Sequence, residues 1–457
     1  MNAKTSLAAN SLGLGESAIM GIAGTAPAFS AAATTATLIA AVGILAPASL
    51  LYCGIIMFGV TLAYKQLNRV DPNAGASYAW VEQAFGPVLG FLAGWSLLVA
   101  TALFMVGGTI PAATATLAIM APRLATDPVS VALMAAVWLL VVSAVVVKGI
   151  KPASYMQVVL TGIEVIILVV VIIAALVKFA GHPAHAFSSS WFSPGAFTPQ
   201  LFATGALAAV FFFWGWDVTV NLNEETRDSG QTPGHGAVLA MISVLLLFVG
   251  FATAVLLVLS DAEIAQAGTN VVLAVADKLF PRPWGYMAVV AVLLSTIGTL
   301  ETSFLQFTRT MFAKGRGGAL HPRYARLHST WQTPWVASAV LTGFGLTLLL
   351  LSAFMPSVNV MMRDAVNAIG FQAAFYYGLA SFACAWNTRR AALTSVTTMI
   401  TLVLWPVASA LFLGFVAIYS IPTFDRVTNI IGIGGIVVGL IPLFLNRWRV
   451  TRTTRRA

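Results

Sequence analysis

The 457-residue chain is 59% hydrophobic and only 9% charged, with a mean hydropathy of +0.90. A water-soluble domain is nearer roughly 45–50% apolar and about 25% charged, so the composition excludes an ordinary soluble enzyme or binding module and requires a polytopic membrane protein. The formal charge of +9 matters less than where its 24 lysines and arginines fall.

Apolar runs of about 18–30 residues, broken by Pro, Gly and charge clusters, predict twelve helices. They cover 16–41, 47–67, 84–117, 129–148, 153–179, 200–223, 235–259, 284–312, 334–354, 364–386, 394–418 and 427–446. The N-terminus carries one lysine, then Asn10-Ser-Leu-Gly-Leu-Gly-Glu16, with no basic region, compact apolar region and cleavage site, so no cleaved signal peptide is expected. Segment 261–282 is too polar to span and reads as a short helix lying across a loop. Cys53 and Cys384 fall inside apolar runs and read as buried small hydrophobes, with no metal spacing. No cofactor is expected.

The first predicted helix contains Gly21-Ile-Ala-Gly-Thr-Ala-Pro27, where Pro27 removes a backbone donor and clashes with the preceding turn. The amides of Ile22, Ala23, Gly24, Thr25 and Ala26 and the Thr25 hydroxyl form a candidate site for a substrate carboxylate. The plainer alternative is a proline kink relieved by neighbouring helices. In the third predicted helix Gly86, Gly90 and Gly94 recur every four residues and suggest close helix packing, as do Gly435 and Gly439 in the twelfth. The fifth contains Glu164, within Leu160-Thr-Gly-Ile-Glu-Val-Ile-Ile-Leu168.

The sixth helix carries Phe211-Phe-Phe-Trp-Gly-Trp-Asp-Val218. A carboxylate inside a spanning helix costs about 2.5–3.5 kcal/mol on insertion scales, and glycine beside it lets the helix open toward a cavity. Phe211, Phe213, Trp214 and Trp216 are candidates for an apolar wall and aromatic lid over a substrate at Gly215. Because these aromatics cover every face of a helix, some are expected to face lipid. Asp217 reads as a buried, protonatable carboxyl that senses occupancy, in preference to a direct ligand. Glu301 in the eighth helix, with Ser295–Thr299 and Thr302, offers a lesser, hydroxyl-rich alternative for sodium. Gly315-Arg-Gly-Gly318 lacks the strand and Lys-Ser/Thr of a nucleotide loop and reads as a cytoplasmic turn. His182 and His185 are expected to be solvated in an outer loop. Arg363 and Asp364 read as a helix-end charge pair, with an outer gate as the alternative.

Breaks in helices one and six stand five helices apart, as the first members of two five-helix halves would. With an odd number of helices per half the repeat is inverted, leaving helices eleven and twelve accessory. The division expected is 16–179, 200–386, 394–446 and a basic tail at 447–457, all within one transporter domain. With the N-terminus in the cytoplasm, Arg123, Lys178, Lys278, Arg282, Arg363 and Arg426 fall outside, which leaves 18 of the 24 basic residues inside. Both termini are therefore expected in the cytoplasm. The tail reads as an anchor at anionic lipid; nucleic acid is not an expected partner.

Further motifs appear in order. Asp71-Pro-Asn-Ala-Gly-Ala-Ser-Tyr-Ala-Trp80 precedes Ala84-Phe-Gly-Pro-Val-Leu-Gly-Phe-Leu-Ala-Gly-Trp95. Asn223-Glu-Glu-Thr-Arg-Asp-Ser-Gly-Gln-Thr-Pro233 follows helix six, and Phe307 through Pro322 with Thr333-Pro334 follows helix eight. Together these resemble the signatures of the amino acid–polyamine–organocation superfamily of permeases through the first ten helices. The resemblance implies an all-α, twelve-helix, leucine-transporter-like fold (a 5+5 inverted repeat plus two accessory helices) working by alternating access. Members that grip a carboxylate often carry a glycine-serine-glycine sequence where Gly24-Thr-Ala-Pro27 stands, and the usual Gly-aromatic-Glu is here Gly215-Trp-Asp217. Counted from Gln157, Glu164 resembles a position where some proton-coupled relatives place a lysine instead of sodium. It is a candidate proton carrier with Asp217, the alternative being a structural hydrogen bond to the first helix. The function expected is a permease for an amino acid or related amine at the cell membrane, coupled to protons (symport) in preference to sodium, and not an enzyme. A polyamine or diamine carrier and an amino acid exchanger are the alternatives.

Overall fold

A computed structural model describes residues 6–352 and 358–445, and all their side chains except Leu207 and 358–364. Lys4, the Arg363/Asp364 pair and the basic tail therefore lie outside the described residues or side chains. Among the described residues the chain is helical, with no strand beyond an isolated bridge between Leu12 and Thr226. Ten helical stretches are long and apolar enough to cross a membrane, the first being the 57-residue run Leu14–Val70. A multi-pass membrane protein results. Pro199–Phe212 is a shorter apolar helix beside them.

The first run is bent twice. α1 (Leu14–Gly24) and α2 (Pro27–Val42) are separated at Ala26, which adopts left-handed φ 48°, and α3 (Ala46–Val70) follows a tight turn at Gly43. The predicted helix 84–117 begins instead at Pro87. α4 (Ser77–Phe85) turns sharply into α5 (Pro87–Gly107) at Gly86, whose φ of +88° needs glycine. A Cβ on Gly86 would meet nothing, whereas one on Gly90 would lie 2.4 Å from the Glu82 Cβ. The glycine repeat is thus no uniform packing stripe: Gly86 makes a turn, and Gly90 lets α4 fold back onto α5. Gly94 leaves room for Lys314, whose Cε would lie 2.9 Å from an added Cβ.

α6 (Thr109–Met120), α7 (Pro128–Lys148) and α8 (Ile150–Phe179) follow. α9 (Pro199–Phe212) and the single turn α10 (Val218–Asn221) flank the second interruption, before α11 (Thr232–Val258). Segment 261–282, expected as one short helix, forms two, α12 (Asp261–Ala267) and α13 (Val271–Leu279), and neither is long enough to span. His185 is not freely solvated: its ring lies 2.8 Å from the Leu256 carbonyl and 3.1 Å from Asp261, pinning the loop after α8 to α11. His182 is exposed.

α14 (Met287–Arg316) is, with the span Ala365–Ala392, the most enclosed of the described spans and touches α1, α2, α5 and α8. Its buried positions run almost without interruption from Ser295 to Gly315, which is possible only because neighbours cover every face. α15 (Trp335–Ser352) and α16 (Val358–Ala392) follow. α17 (Val396–Met399) passes through a π-helical turn at Ile400–Leu404 into α18 (Trp405–Ser420). Pro406 cannot donate to the Leu402 carbonyl, which accepts from Thr388 instead. α19 (Arg426–Val438) presents Gly435 and Gly439 to Gln372 and Trp95, so these two glycines do permit close packing.

Candidate functional site

The two interruptions touch each other through glycine. A Cβ on Gly24 would lie 2.1 Å from the Gly215 carbonyl oxygen, and one on Gly215 would lie 2.1 Å from that of Gly24. Gly215 also has φ +103°, where any side chain is strained. Backbone therefore meets backbone where α1 gives way to α2 and α9 to α10. Only two residues without side chains allow it.

The breaks satisfy most of their own polar groups. Thr25 and Ala26 donate their amides to the Ile22 and Ala23 carbonyls at 3.1 and 3.0 Å, and the Thr25 hydroxyl donates to Ile22 at 2.8 Å. Ala23, Gly24, Thr25 and Ala26 are buried, and Ile22 is half-buried. Beyond Pro27, the Ala28 amide donates to Glu164 Oε1 at 2.8 Å and the Phe29 amide to Ser295 Oγ at 3.1 Å. Thr299 returns a 2.5 Å bond to the Ala23 carbonyl. In this conformation the carboxylate at the N-terminus of α2 is the protein's own Glu164. The hydrogen bond to the first helix that the sequence offers as the structural reading of Glu164 is present.

Asp217 is fully buried at the N-terminal end of α10. Tyr377 donates to its Oδ1 at 2.7 Å and accepts the Gly215 amide at 3.1 Å, while Oδ2 has no partner. One phenol thus ties α16 to both the glycine and the acid of the second break. Trp216 stacks on Tyr377 with centroids 5.6 Å apart, its indole N–H unpartnered, and Tyr64 of α3 packs edge-on against both rings. Trp214 donates to Tyr376 at 2.9 Å. Phe211, Phe213, Trp214 and Trp216 are all buried, which overturns the expectation that some face lipid. The helix is broken between them, so they radiate into α3, α5, α11 and α16 instead of around one exposed cylinder. Tyr64, Tyr376 and Tyr377 are the members that sequence reasoning misses. Their only signal is a tyrosine pair in an apolar run.

A second polar cluster joins α8 to α14. With its amide oriented to satisfy both ends, Gln157 donates to Glu301 Oε2 at 2.9 Å and accepts from Thr161 at 2.8 Å. Gly298 makes the space: a Cβ there would lie 2.5 Å from the Gln157 amide nitrogen. Glu301 Oε1 is buried and without a partner. Among the described residues no group of three or more His, Cys, Asp or Glu could hold a metal.

The molecule is open on one side of this region and closed on the other. A cavity of about 610 Å³ lies between α2, α9, α16 and α18, with Phe211 and Ala374 among its lining. Its described lining contains hydroxyls and one amide but no ionisable group. On the opposite side Arg309 and Glu225, both fully buried, form a bidentate pair with two 2.9 Å bonds. Arg316 clasps Glu224, which also accepts the Ala74 amide at 2.9 Å, and Ser11 and Leu12 bond to the Glu225 carbonyl. Two of the sequence motifs noted above, at 71–80 and 223–233, therefore build the closed face.

The model of the family described as amino acid permease matches residues 13–446. The serine/threonine exchanger SteT of Bacillus subtilis (strain 168) is 23% identical over 303 residues, covering 65% of this chain and 67% of that protein. The low-affinity putrescine importer PlaP of Escherichia coli (strain K12) is 26% identical over 303 residues, 63% of each chain. The large neutral amino acids transporter small subunit 2 of Mus musculus is 25% identical over 335 residues, 71% of this chain and 60% of that protein. The matched region spans about two thirds or less of the length of these relatives. By name, all three are transport proteins and none is an enzyme.

Proposed function

The chain belongs to the amino acid permease family, and we propose that it is a proton-coupled secondary transporter for a neutral amino acid, working by alternating access in the cell membrane. The contact between Gly24 and Gly215 carries the proposal. A substrate that binds there must separate backbones packed glycine to glycine, so its binding and the positions of α2 and α9 are mechanically linked. The matched breaks also support a twelve-helix arrangement of two inverted five-helix halves, 16–179 and 200–386, with 394–446 accessory.

In this reading Ile22 through Ala26 and Gly215 contact the substrate backbone, and Phe211, Trp214 and Trp216 cover it. Glu164 and Asp217 carry the protonation switch. When Glu164 releases Ala28, the N-terminal end of α2 becomes available to the substrate carboxylate. The cavity faces outward and the Arg309–Glu225 face is cytoplasmic, in keeping with the basic residues of the sequence. A diamine carrier would need acids along its path. Here Glu164, Asp217 and Glu301 are bonded to Ala28, Tyr377 and Gln157, and none lines the cavity.

Purified protein in liposomes, given labelled L-serine, L-threonine, L-leucine and putrescine in turn, tests the proposal. At least one amino acid should accumulate under an imposed pH gradient without sodium, and putrescine should not. Accumulation of putrescine alone would transfer the protein to the diamine class. Accumulation that requires a sodium gradient would remove the proton assignment. Glu164→Gln should abolish gradient-driven accumulation and leave counterflow exchange measurable.

A further inference from the structure

The geometry points to Glu301 as a second proton-binding carboxyl of the coupling machinery, held by Gln157, which shares a buried face of α8 with Glu164. The inference rests on the proton-coupled reading above and adds to it a residue and a direction. Thr161 lies one turn from Glu164 on the same buried face of α8, and Gln157 one turn further. The polar side chains therefore stand in a line, Glu164, Thr161, Gln157, Glu301, with hydrogen bonds joining Thr161 to Gln157 and Gln157 to Glu301 across the α8–α14 contact.

Ser295 of α14 stands level with the α2 N-terminus, since it accepts the Phe29 amide. Glu301, six residues on, lies about 9 Å further along the axis at 1.5 Å per residue. That displacement is toward the Arg309–Glu225 face, so the line leads from the first break to the closed side.

Charge decides what Glu301 can hold. Its carboxyl is fully buried, one oxygen accepts a single amide bond from Gln157, and the other has no partner. An ionised carboxylate in the membrane interior calls for a counter-charge, and the neighbouring elements supply none. α2, α5, α6, α10 and α15 carry no ionisable side chain, α1 has only Glu16, and α7 only Lys148 at its end. On α8 the charged residues besides Glu164 are Lys151 and Lys178, one near each end; α13 has Asp277 and Lys278 at its far end. The α14–α15 loop adds His321, Arg323, Arg326 and His328, all beyond Arg316 at the closed end of α14. Within α14, Arg309 is engaged by Glu225, Lys314 by the Phe91 carbonyl, and Arg316 by Glu224. A proton is the cation that fits without a further ligand.

Transfer of the proton between the two carboxyls breaks an O–H bond on Glu164 and makes one on Glu301, so one negative charge passes the opposite way. Gln157 is a positioning residue. Its amide can donate to an ionised Glu301 or, turned over, accept from a protonated one.

Difference infrared spectroscopy of the full chain in lipid nanodiscs, read at the C=O stretch of protonated carboxyls, tests this without any substrate. The Glu301→Gln variant should lose one such band at neutral pH, different from the band lost in Glu164→Gln. The Gln157→Leu variant should keep the Glu301 band but shift it, because the carboxyl remains while its hydrogen bond is removed. A Glu301→Gln spectrum identical to that of the unaltered protein would overturn the proposal. So would an unshifted band in Gln157→Leu, which also covers the case of a misfolded Glu301 variant. If the Glu301 band is lost but no pH gradient drives uptake in liposomes, the coupling reading fails while the proton site stands.

Discussion

At the scale of single residues, the site depends on side chains that are missing as much as on those present. Gly24 and Gly215 leave no room for a Cβ, and Gly215 adds a backbone conformation reserved for glycine. Gly24→Ala should destabilise the fold by about 1–3 kcal/mol, the usual cost of overpacking, and should reduce transport more than expression. Thermal unfolding beside liposome uptake checks both, and normal uptake would mean that the breaks need not touch during the cycle. Tyr377 is the converse case. Tyr377→Phe strips the buried Asp217 carboxyl of its 2.7 Å hydrogen bond, at about 1–3 kcal/mol. The expected result is a lower unfolding temperature together with a changed pH dependence of uptake. A lower temperature alone would assign Tyr377 to folding.

Among elements, the short helices fix how the long ones can move. α4 and α5 are clamped to α14 by Lys314, whose ammonium lies 4.8 Å from the Tyr78 ring centre of α4, donates to the Phe91 carbonyl of α5 at 2.7 Å and lies 3.7 Å from the Phe91 ring centre. Beside it, Arg309 of α14 holds Glu225 just beyond α10, out of water. Breaking a buried pair by removing one partner costs about 3–5 kcal/mol. Arg309→Met should therefore unfold at distinctly lower temperature, and the double change with Glu225→Leu should recover much of the loss. On the other side, α12 opens with Ser260 and Glu263 capping one another, and Lys278 of α13 lies 2.6 Å from the Glu263 carboxylate. Lys278 foremost, then Ser260, holds Glu263 down at about 2 instead of 4.5. A carboxylate depressed on folding stabilises above its unfolded value and loses that contribution as pH falls through the folded one. Amide exchange in 261–279 should thus quicken relative to its intrinsic rate as pH drops from about 4.5 toward 2, and Glu263→Gln should remove that dependence.

For the whole molecule, the orientation taken from the basic residues has a direct test, because Cys53 and Cys384 are buried and should not react. Ser190→Cys, in the loop after α8, should be labelled by a membrane-impermeant maleimide on intact cells. Ser329→Cys, before α15, should be labelled only after permeabilisation, and the reverse pattern would invert the topology. Much of this architecture is legible in the sequence. Hydrocarbon length marks nearly every helix to within a few residues, and Pro27, Gly215 and Asp217 mark both breaks, because membrane spans tolerate proline, glycine and acid only where something compensates. Such signals are local. The turn at Gly86 is invisible by spacing, since the same four-residue glycine repeat suits a packed helix face. The burial of all four aromatics near Gly215 depends on helices as distant in sequence as α3 and α16. Likewise Tyr377 meets Asp217 across 160 positions, Glu164 meets Ala28 across 136, and Gln157 finds Glu301 only because Gly298 leaves the gap. By itself the sequence determined that the chain spans a membrane many times and where its helices must fail. Only the tertiary structure decided that the two failures meet, which acids stand beside them and which side is shut, because partners for buried polar groups are chosen by packing in three dimensions.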